Sequence, residues 1–326
     1  MRSCVARSAA TFARNMGASR GPCALVSRVT ACPTLNQVTH IHMSTTITTH
    51  NGRVITPEKE ISLTAQLIPQ HVENFPFADS RRFAQRITSG QFKGKLHFFA
   101  LDFETTGLTR KELPRILEIS IEHIPEDKLP ELQAPPPPEG AQPSNIDPQS
   151  QCSMESPTAT DSQYYSLIDP GIPSSIYAYT YHQINRSDVR GKQTMADAFN
   201  EIVKWVQKFS SAKQGEEDLF VFVMPHFAKM EKITLAYELS RANLEAPPNW
   251  VFVNATNILE KNLPFLDKIQ LDHIYSHLYG VAPQRLHRAD ADTKTVKECL
   301  AKVFPDAERF KDAIYLEMAQ DVSKFL

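Results

Sequence analysis

The order of apolar and polar positions along the chain alternates between two patterns. Short apolar runs, or short runs in which apolar and polar residues alternate, are typical of strands, whereas apolar residues repeated every three or four positions are typical of helices. The strand pattern occurs at residues 97–103, 115–124, 164–168, 219–224 and 250–253. The helix pattern occurs at residues 195–209, 229–242, 271–278, 292–304 and 306–325. Strands that precede helices and then alternate with them predict one α/β domain over residues 96–305.

The segments outside these elements differ in composition. Residues 125–163 contain a run of four prolines, are rich in Ser, Gln and Pro, and show no periodicity, so we expect a disordered or surface insertion between two strands. Residues 43–95 form an N-terminal extension that is partly basic, and residues 306–326 form a C-terminal helix. The basic residues of the extension could contact phosphate or could lie on a solvated helix face: Arg81, Arg82, Arg86, Lys93 and Lys95.

The first 42 residues carry Arg but no acid, and they are rich in Ala, Ser and Thr. This composition is typical of a mitochondrial transit peptide, so we expect import into the mitochondrial matrix. Composition leaves one alternative open, a disordered basic tail with translation starting at Met43. The sequence shows no run of about 18 apolar residues, the length that a membrane-spanning helix needs, so we expect no membrane partner.

Charge is unevenly distributed along the chain. The formal net charge is −2, but residues 1–57 contain six Arg and no Asp or Glu, which leaves 29 basic against 37 acidic residues beyond them. A body with this acidic balance does not bind nucleic acid through bulk charge and would need a local basic groove or bound metal ions. The five cysteines show no metal-ligand spacing, which fits a reducing compartment or matrix.

Two carboxylates stand at the end of the first strand that the pattern predicts. Asp102 and Glu104 are two positions apart, and residues i and i+2 of a strand point to the same face of the sheet. Burial of two like charges side by side is unfavourable unless a cation neutralises them. A hard divalent ion with oxygen ligands, Mg²⁺ or Mn²⁺, is the simplest such cation.

A second acidic motif lies near the C-terminus, where His287 precedes Asp292 by five residues. A histidine beside a metal-bound carboxylate can accept a proton from water at neutral pH. Aspartate is also a common helix N-cap, so Asp292 could instead do no more than begin the helix that follows it.

Taken in order, these motifs resemble those of the DEDDh group of DnaQ-like 3′–5′ exonucleases, which includes ribonuclease T, oligoribonuclease and proofreading subunits. Residues 102–108 are similar to the first motif at nearly every position, and residues 287–292 match the third motif, H-x-A-x-x-D. Residues 182–185 are similar to an HGIT segment of the group, with Gln183 in place of Gly. The resemblance covers about residues 96–305. It implies a ribonuclease H-like, three-layer α/β/α fold with a five-stranded mixed sheet.

The resemblance also implies roles for individual residues. Asp102 would bridge two divalent metal ions, Mg²⁺ or Mn²⁺, and His287 would deprotonate the attacking water. Glu104 and Asp292 would complete the ligands of one ion, and Glu231 would hold the other. The residues implied to contact substrate are Thr105, Thr106, Leu108 and His226. The implied reaction hydrolyses single-stranded RNA or DNA from a free 3′ end to nucleoside 5′-monophosphates, with RNA slightly favoured.

The second motif departs from the pattern of the group. Residues 225–231 read P-H-F-A-K-M-E where the group has A-H-N-A-x-F-D, so that Glu231 replaces Asp. Glutamate keeps the charge but adds a methylene of about 1.5 Å, and a shift of about 1 Å can cost about 100-fold in rate. An alternative function is therefore a catalytically impaired binding or assembly factor in a mitochondrial RNA–protein complex. The retained Asp102, Glu104 and Asp292 favour activity, because buried carboxylates without a metal are unfavourable.

Overall fold

The computed structural model describes residues 47–48, 54–55, 68–107, 113–133, 158–226, 229–266 and 269–320. Strands β1 (Ile47–Thr48) and β2 (Val54–Ile55) pair antiparallel with each other, in a unit distinct from the one that carries the remaining elements. The leader predicted over residues 1–42 and the middle of the Pro-rich insertion lie outside the described residues. Within those ranges, no helix combines the length and the apolar character that crossing a membrane requires.

The larger unit consists of one sheet and the helices around it. Its elements follow one another along the chain as α1 (Gln70–Glu73), α2 (Ser80–Thr88), β3 (Gly94–Thr105), β4 (Ile116–Ile124), β5 (Thr158–Ala159), β6 (Gln163–Leu167), α3 (Ile176–His182), α4 (Arg186–Val189), α5 (Met195–Gln207), β7 (Glu217–Met224), α6 (Lys229–Arg241), β8 (Trp250–Asn254), α7 (Ala255–Asn262), α8 (Leu271–Tyr279), α9 (Ala289–Val303) and α10 (Ala307–Met318).

The sheet is mixed, with the strand order β5-β6-β4-β3-β7-β8. The first four strands of this order pair antiparallel, and β3, β7 and β8 pair parallel. This arrangement confirms the predicted ribonuclease H-like α/β fold, but the number of strands is six rather than five. The additional strand, β5, is a two-residue edge strand with both residues exposed, so it is too short to leave a periodic pattern in the sequence.

Alternation along the central strand β3 separates the two faces of the sheet. Phe98 and Ala100 lie in an apolar core with the buried side chains of α7, α8, α9 and α10. Phe99, Leu101 and Phe103 point the other way, into a core with α5 and α6. Because successive strand residues face opposite sides, this one twelve-residue strand supplies side chains to both cores. The sheet therefore lies between two layers of helices.

The structure describes part of the predicted insertion and most of the predicted C-terminal helix. Part of the predicted insertion is folded, because a 3₁₀ segment at Glu126–Leu132 buries Leu129 completely. Helix α10, which lies within the predicted C-terminal helix, buries Phe310 and Ile314 in the same core as Phe98. Hydrophobic burial therefore continues past the expected boundary at residue 305.

The basic cluster of the extension lies at the end of the sheet where β3 begins. Arg86 of α2 pairs with Glu217 at the start of β7, and Glu217 is in register with Gly94, the first residue of β3. The acids Asp102 and Glu104 lie near the other end of β3. At about 3.3 Å per strand residue, the cluster is more than 20 Å away from them along the strand.

The buried aromatic residue Phe99 tests how much the core contributes to stability. Its ring is fully buried and contacts Phe209 and Phe222 at centroid distances of 5.1 and 5.4 Å. We expect Phe99→Ala to lower the free energy of unfolding by about 3–5 kcal/mol, because the cavity adds to the lost transfer energy. Phe265 is 63% exposed, so the same change there should cost about 0.5 kcal/mol. Urea denaturation of both variants measures the difference, and equal losses would contradict the packing described.

Candidate metal centre

Asp102 and Glu104 lie near the carboxyl end of β3, the central strand of the sheet. Their neighbours Leu101 and Phe103 belong to the core beneath α5 and α6. The period of two therefore turns both carboxylates toward the opposite face, where α9 packs. Burial of Leu101 and Phe103 on one face of the sheet thus places the two acids side by side, partly buried, on the other face.

Helix α9 brings the third carboxylate to the same place. The helix begins at Ala289 with Arg288 as its N-cap, so Asp292 lies in the first turn and is not the cap residue. One carboxylate oxygen from each of Asp102, Glu104 and Asp292 lies within 4.8 Å of the others. This is the one cluster of three possible metal ligands in the part of the chain that the structure describes.

Without a bound cation, burial and mutual repulsion disfavour the ionised forms of the three carboxylates. Burial raises the pKa of Asp102 well above its usual value, and the charges of Asp292 and Glu104 raise it further. Burial also raises the pKa of Glu104, followed by repulsion from Asp292 and Glu118. The pKa of Asp292 rises to about 7, again chiefly through burial, while a hydrogen bond from the His287 backbone opposes the rise.

A hard divalent cation fits this donor set. Three carboxylate groups with closely spaced oxygens are the ligands that Mg²⁺ and Mn²⁺ prefer, and they contain no sulfur or imidazole that would favour a softer metal. The charge of the cation would offset the repulsion that otherwise raises the three pKa values. Asp102, Glu104 and Asp292 are therefore the residues that would hold such an ion.

His287 lies in the loop immediately before α9, and its backbone connects directly to the acidic cluster. Its N–H donates to Oδ2 of Asp292 at 3.0 Å, and its backbone adopts a left-handed φ of 66°. The ring of Tyr181 packs edge-on against the imidazole at a centroid distance of 5.0 Å. The residue is open to solvent, but partial burial of the ring lowers its pKa, against a smaller upward effect of Asp272. A neutral imidazole with solvent access can accept a proton from water.

The residues of the second motif are less closely associated with the centre. Glu231 lies in the first turn of α6 and is not a member of the three-carboxylate cluster. His226 is exposed in the loop that follows β7. Phe227 and Leu108 lie outside the described residues, so the substrate contact predicted for Leu108 stays a prediction.

The turn after β3 contains Thr106, one of the predicted substrate contacts. Thr106 is fully buried, and its hydroxyl accepts a hydrogen bond from the backbone N–H of Arg115 at 3.0 Å. Its carbonyl accepts another from the N–H of Ser175. These bonds commit Thr106 to the protein interior and leave Thr105, which is partly exposed, as the threonine that a substrate could reach.

Gly107 occupies a position that excludes a side chain. Its φ is 74°, and a Cβ atom there would lie 2.6 Å from Oγ of Ser175 and 2.8 Å from Cβ of Ala178. Helix α3 therefore packs directly on the turn that follows the two acids. At the end of α3, Gln183 also adopts a left-handed φ of 55°, at the position where the HGIT segment has Gly. The backbone geometry that favours Gly persists here without it.

Sequence reasoning missed two residues beside the centre, Glu118 and Arg288. Glu118 of β4 is fully buried and lies opposite Glu104 in the register of the sheet. Arg288 forms an ion pair with it, at 2.6 Å between Nη2 and Oε1. The available signal was a glutamate between apolar residues near the start of a strand run, since a buried glutamate needs a partner.

The raised pKa values predict how pH and metal change stability. Without metal, the folded protein retains protons that the unfolded chain releases near pH 4, so the melting temperature should fall as pH rises from about 4 through about 7. Asp292→Asn should weaken this dependence. Added Mg²⁺ should stabilise the protein more as pH rises, because its ligands must be ionised. Thermal melts at pH 5, 6, 7 and 8 in EDTA or Mg²⁺ measure both effects, and a flat melting profile in EDTA would contradict the electrostatic account.

The chain is similar in fold to several solved nuclease structures. The nuclease domain of 3′hExo, a DEDDh family member bound to rAMP, matches at 15% identity and a TM-score of 0.45, over 63% of this chain and 90% of that one. A 3′-exonuclease solved in 3′-end specific recognition of histone mRNA stem-loop matches at 14% and 0.44, over 64% and 81%. Cell-death related nuclease 4 (CRN-4) matches at 14% and 0.42, over 64% and 63%. No family model and no curated protein matches the sequence. These are likenesses of fold with TM-scores below 0.5, so we infer function from the chain's own site.

Proposed function

We propose that this protein is a metal-dependent 3′–5′ exonuclease that hydrolyses single-stranded nucleic acid, RNA ahead of DNA, to nucleoside 5′-monophosphates. The observation that carries this proposal is the cluster of Asp102, Glu104 and Asp292, whose oxygens lie within 4.8 Å of one another, with the backbone N–H of His287 donating to Asp292. Such a cluster can hold a divalent ion beside a neutral base, which is what hydrolysis of a phosphodiester needs.

Each residue of the centre then has a defined task. Asp102, Glu104 and Asp292 would hold one divalent ion. Asp102 and Glu231 would hold a second, Glu231 through a water molecule because it lies outside the close cluster. Bound Mg²⁺ or Mn²⁺ would supply positive charge that offsets the charge on the attacking and leaving oxygens of the phosphodiester. His287 accepts the proton of the attacking water at its imidazole.

The residues that we assign to the substrate contact its backbone and ring faces rather than its base edges. Thr105 follows the two acids directly, Leu108 lies three residues further along, and His226 is exposed after β7. Contacts of this kind read little sequence, so we expect hydrolysis of many sequences from a free 3′ end.

The test uses the full chain with 5′-labelled single-stranded RNA and DNA of equal sequence, in Mg²⁺, Mn²⁺ or EDTA. We expect a ladder that shortens from the 3′ end and that EDTA abolishes. Asp102→Asn should lower the rate by at least about 100-fold, since even a shift of about 1 Å in such a site costs that much. Asp161→Asn, which changes an exposed acid before β6, is the matched control and should leave the rate unchanged. Folded protein that gives no ladder with any metal would overturn the proposal.

A second candidate is a binding or assembly factor in a mitochondrial RNA–protein complex. The position of Glu231 outside the carboxylate cluster favours it, because an incomplete second ion position would slow catalysis. Cleavage and RNA affinity together distinguish the two candidates. A binding factor binds RNA without cleaving it, and Asp102→Asn retains that affinity. An exonuclease cleaves RNA in the unmodified chain and loses this cleavage in Asp102→Asn.

The leader supports a proposed location in the mitochondrial matrix. Residues 1–42 combine several Arg with no acid, and a positive segment is drawn toward a negative interior. A fluorescent fusion of the full chain should therefore accumulate in mitochondria, and deletion of residues 1–42 should disperse it. Replacement of the leader arginines by Gln is the sharper control, since it keeps the length. Mitochondrial accumulation that survives this replacement would contradict the proposal.

A further inference from the structure

Strand β4 and helix α9 are joined by polar contacts at three successive levels. Oε2 of Glu118 accepts the N–H of Ala289 at 3.0 Å, and Ser120 and Thr293 join their hydroxyls at 3.1 Å. At the third level Lys297 pairs with Glu122. The spacing is two residues on the strand and four on the helix, which corresponds to rises of about 6.7 and about 6.0 Å. This polar ladder runs along the interface that holds Asp292 over β3.

The level nearest the metal centre is the most strongly bonded. The Glu118 carboxylate is completely buried. Its Oε1 accepts from the Tyr165 hydroxyl at 2.6 Å and from Nη2 and Nε of Arg288 at 2.6 and 3.0 Å. Its Oε2 accepts from Arg288 Nε at 3.2 Å and from the backbone of Ala289. Both oxygens of this acid therefore bond the start of α9, and Oε1 also accepts the Tyr165 hydroxyl of β6.

The residues held by Glu118 lie between the two functional residues of the third motif. Arg288 and Ala289 follow His287 directly, and Asp292 is one helical turn further on. His287 adopts a left-handed backbone, which a residue with a Cβ atom retains only where its surroundings impose it. Glu118 also lies opposite Glu104 in the sheet register. One side chain thus connects the strand that carries two ligands with the loop that carries the base.

Glu118 and Arg288 also balance each other's charge beside the metal centre. Arg288 is the cation in contact with Glu118, and its guanidinium is itself largely buried. With Glu118 in place, the arginine charge is balanced and its fork is engaged by both oxygens of the glutamate. Without that partner, a buried guanidinium would remain beside a site built for divalent cations and would repel them.

We propose that Glu118 is a positioning residue of the nuclease site: through Arg288 and Ala289 it sets the placement of His287 and Asp292 and keeps the Arg288 charge from competing with the metal. This role depends on the proposed function only for its effect on turnover. Its effect on metal binding can be measured on the protein without substrate.

The experiment compares Glu118→Gln with Glu122→Gln in the full chain. Both changes remove a charge from the same face of β4, a buried one at Glu118 and a partly buried one at Glu122. Each breaks an ion pair to α9, at its start or at its middle. We expect Glu118→Gln to lower kcat and to weaken Mn²⁺ binding by about 10- to 100-fold each, the usual size for outer partners of metal ligands. KM for RNA should change little. Glu122→Gln should lower the melting temperature but leave kcat and Mn²⁺ affinity unchanged. Mn²⁺ binding is read from the electron paramagnetic resonance signal of the free ion.

Two further variants separate geometry from charge and guard against misfolding. Arg288→Lys keeps the charge but loses the planar fork that contacts both oxygens of Glu118, so it should resemble Glu118→Gln. Tyr165→Phe removes one hydrogen bond to Glu118 and should reduce kcat in the same direction but less. It remains informative if Glu118→Gln does not fold.

The outcomes separate this inference from the proposed function. Equal losses of Mn²⁺ affinity in Glu118→Gln and Glu122→Gln, or none in either, would overturn the positioning role. If the unmodified chain binds Mn²⁺ but cleaves neither RNA nor DNA, the proposed function fails while the comparison of metal affinities still decides the role of Glu118. If the unmodified chain binds no Mn²⁺, both fail.

Discussion

Repulsion between carboxylates is the constraint on which the rest of the site depends. The apolar residues on either side of Asp102 and Glu104 must be buried beneath α5 and α6, so the two acids must face α9, which contributes a third. The protein retains this arrangement although burial and repulsion raise all three pKa values. Three ionised carboxylates this close together are stable at neutral pH when a cation is bound. The arrangement of the three acids therefore favours binding of a divalent metal ion.

The interface between β4 and α9 holds the helix in a defined register on the sheet. Ligands from a strand and a helix must meet within a few ångströms, and helices on sheets can slide unless specific contacts fix their register. The polar ladder supplies those contacts at three levels, the strongest of them adjacent to the ligands. At that level stability and function are joined, since the contacts of Glu118 that seat the start of α9 also align His287 and Asp292.

The two turns beside the centre show how the backbone contributes. Gly107 allows α3 to approach the turn after the acids, and no larger residue fits there. Gln183 takes a left-handed conformation at the end of the same helix without being glycine. A sequence can therefore depart from a familiar pattern at one position while the surrounding packing preserves the geometry. Glu231 is a departure of a different kind, because there the length of a side chain, and not the backbone, decides where the charge lies.

The sequence by itself determined the class of fold, the central strands and the three acids that the structure brings together. Period-two burial in β3 and a D-x-E pair at its end are local patterns, and local patterns are visible in a linear chain. The sequence could not show that Thr106 is buried, that α10 belongs to the core, or that a two-residue strand completes the sheet. The first two results depend on residues distant along the chain, whereas the strand is too short to leave a periodic pattern. The partnership of Glu118 with Arg288 joins positions 170 residues apart, and only the tertiary structure could decide it, because the free energy of a buried charge depends on what folding places beside it.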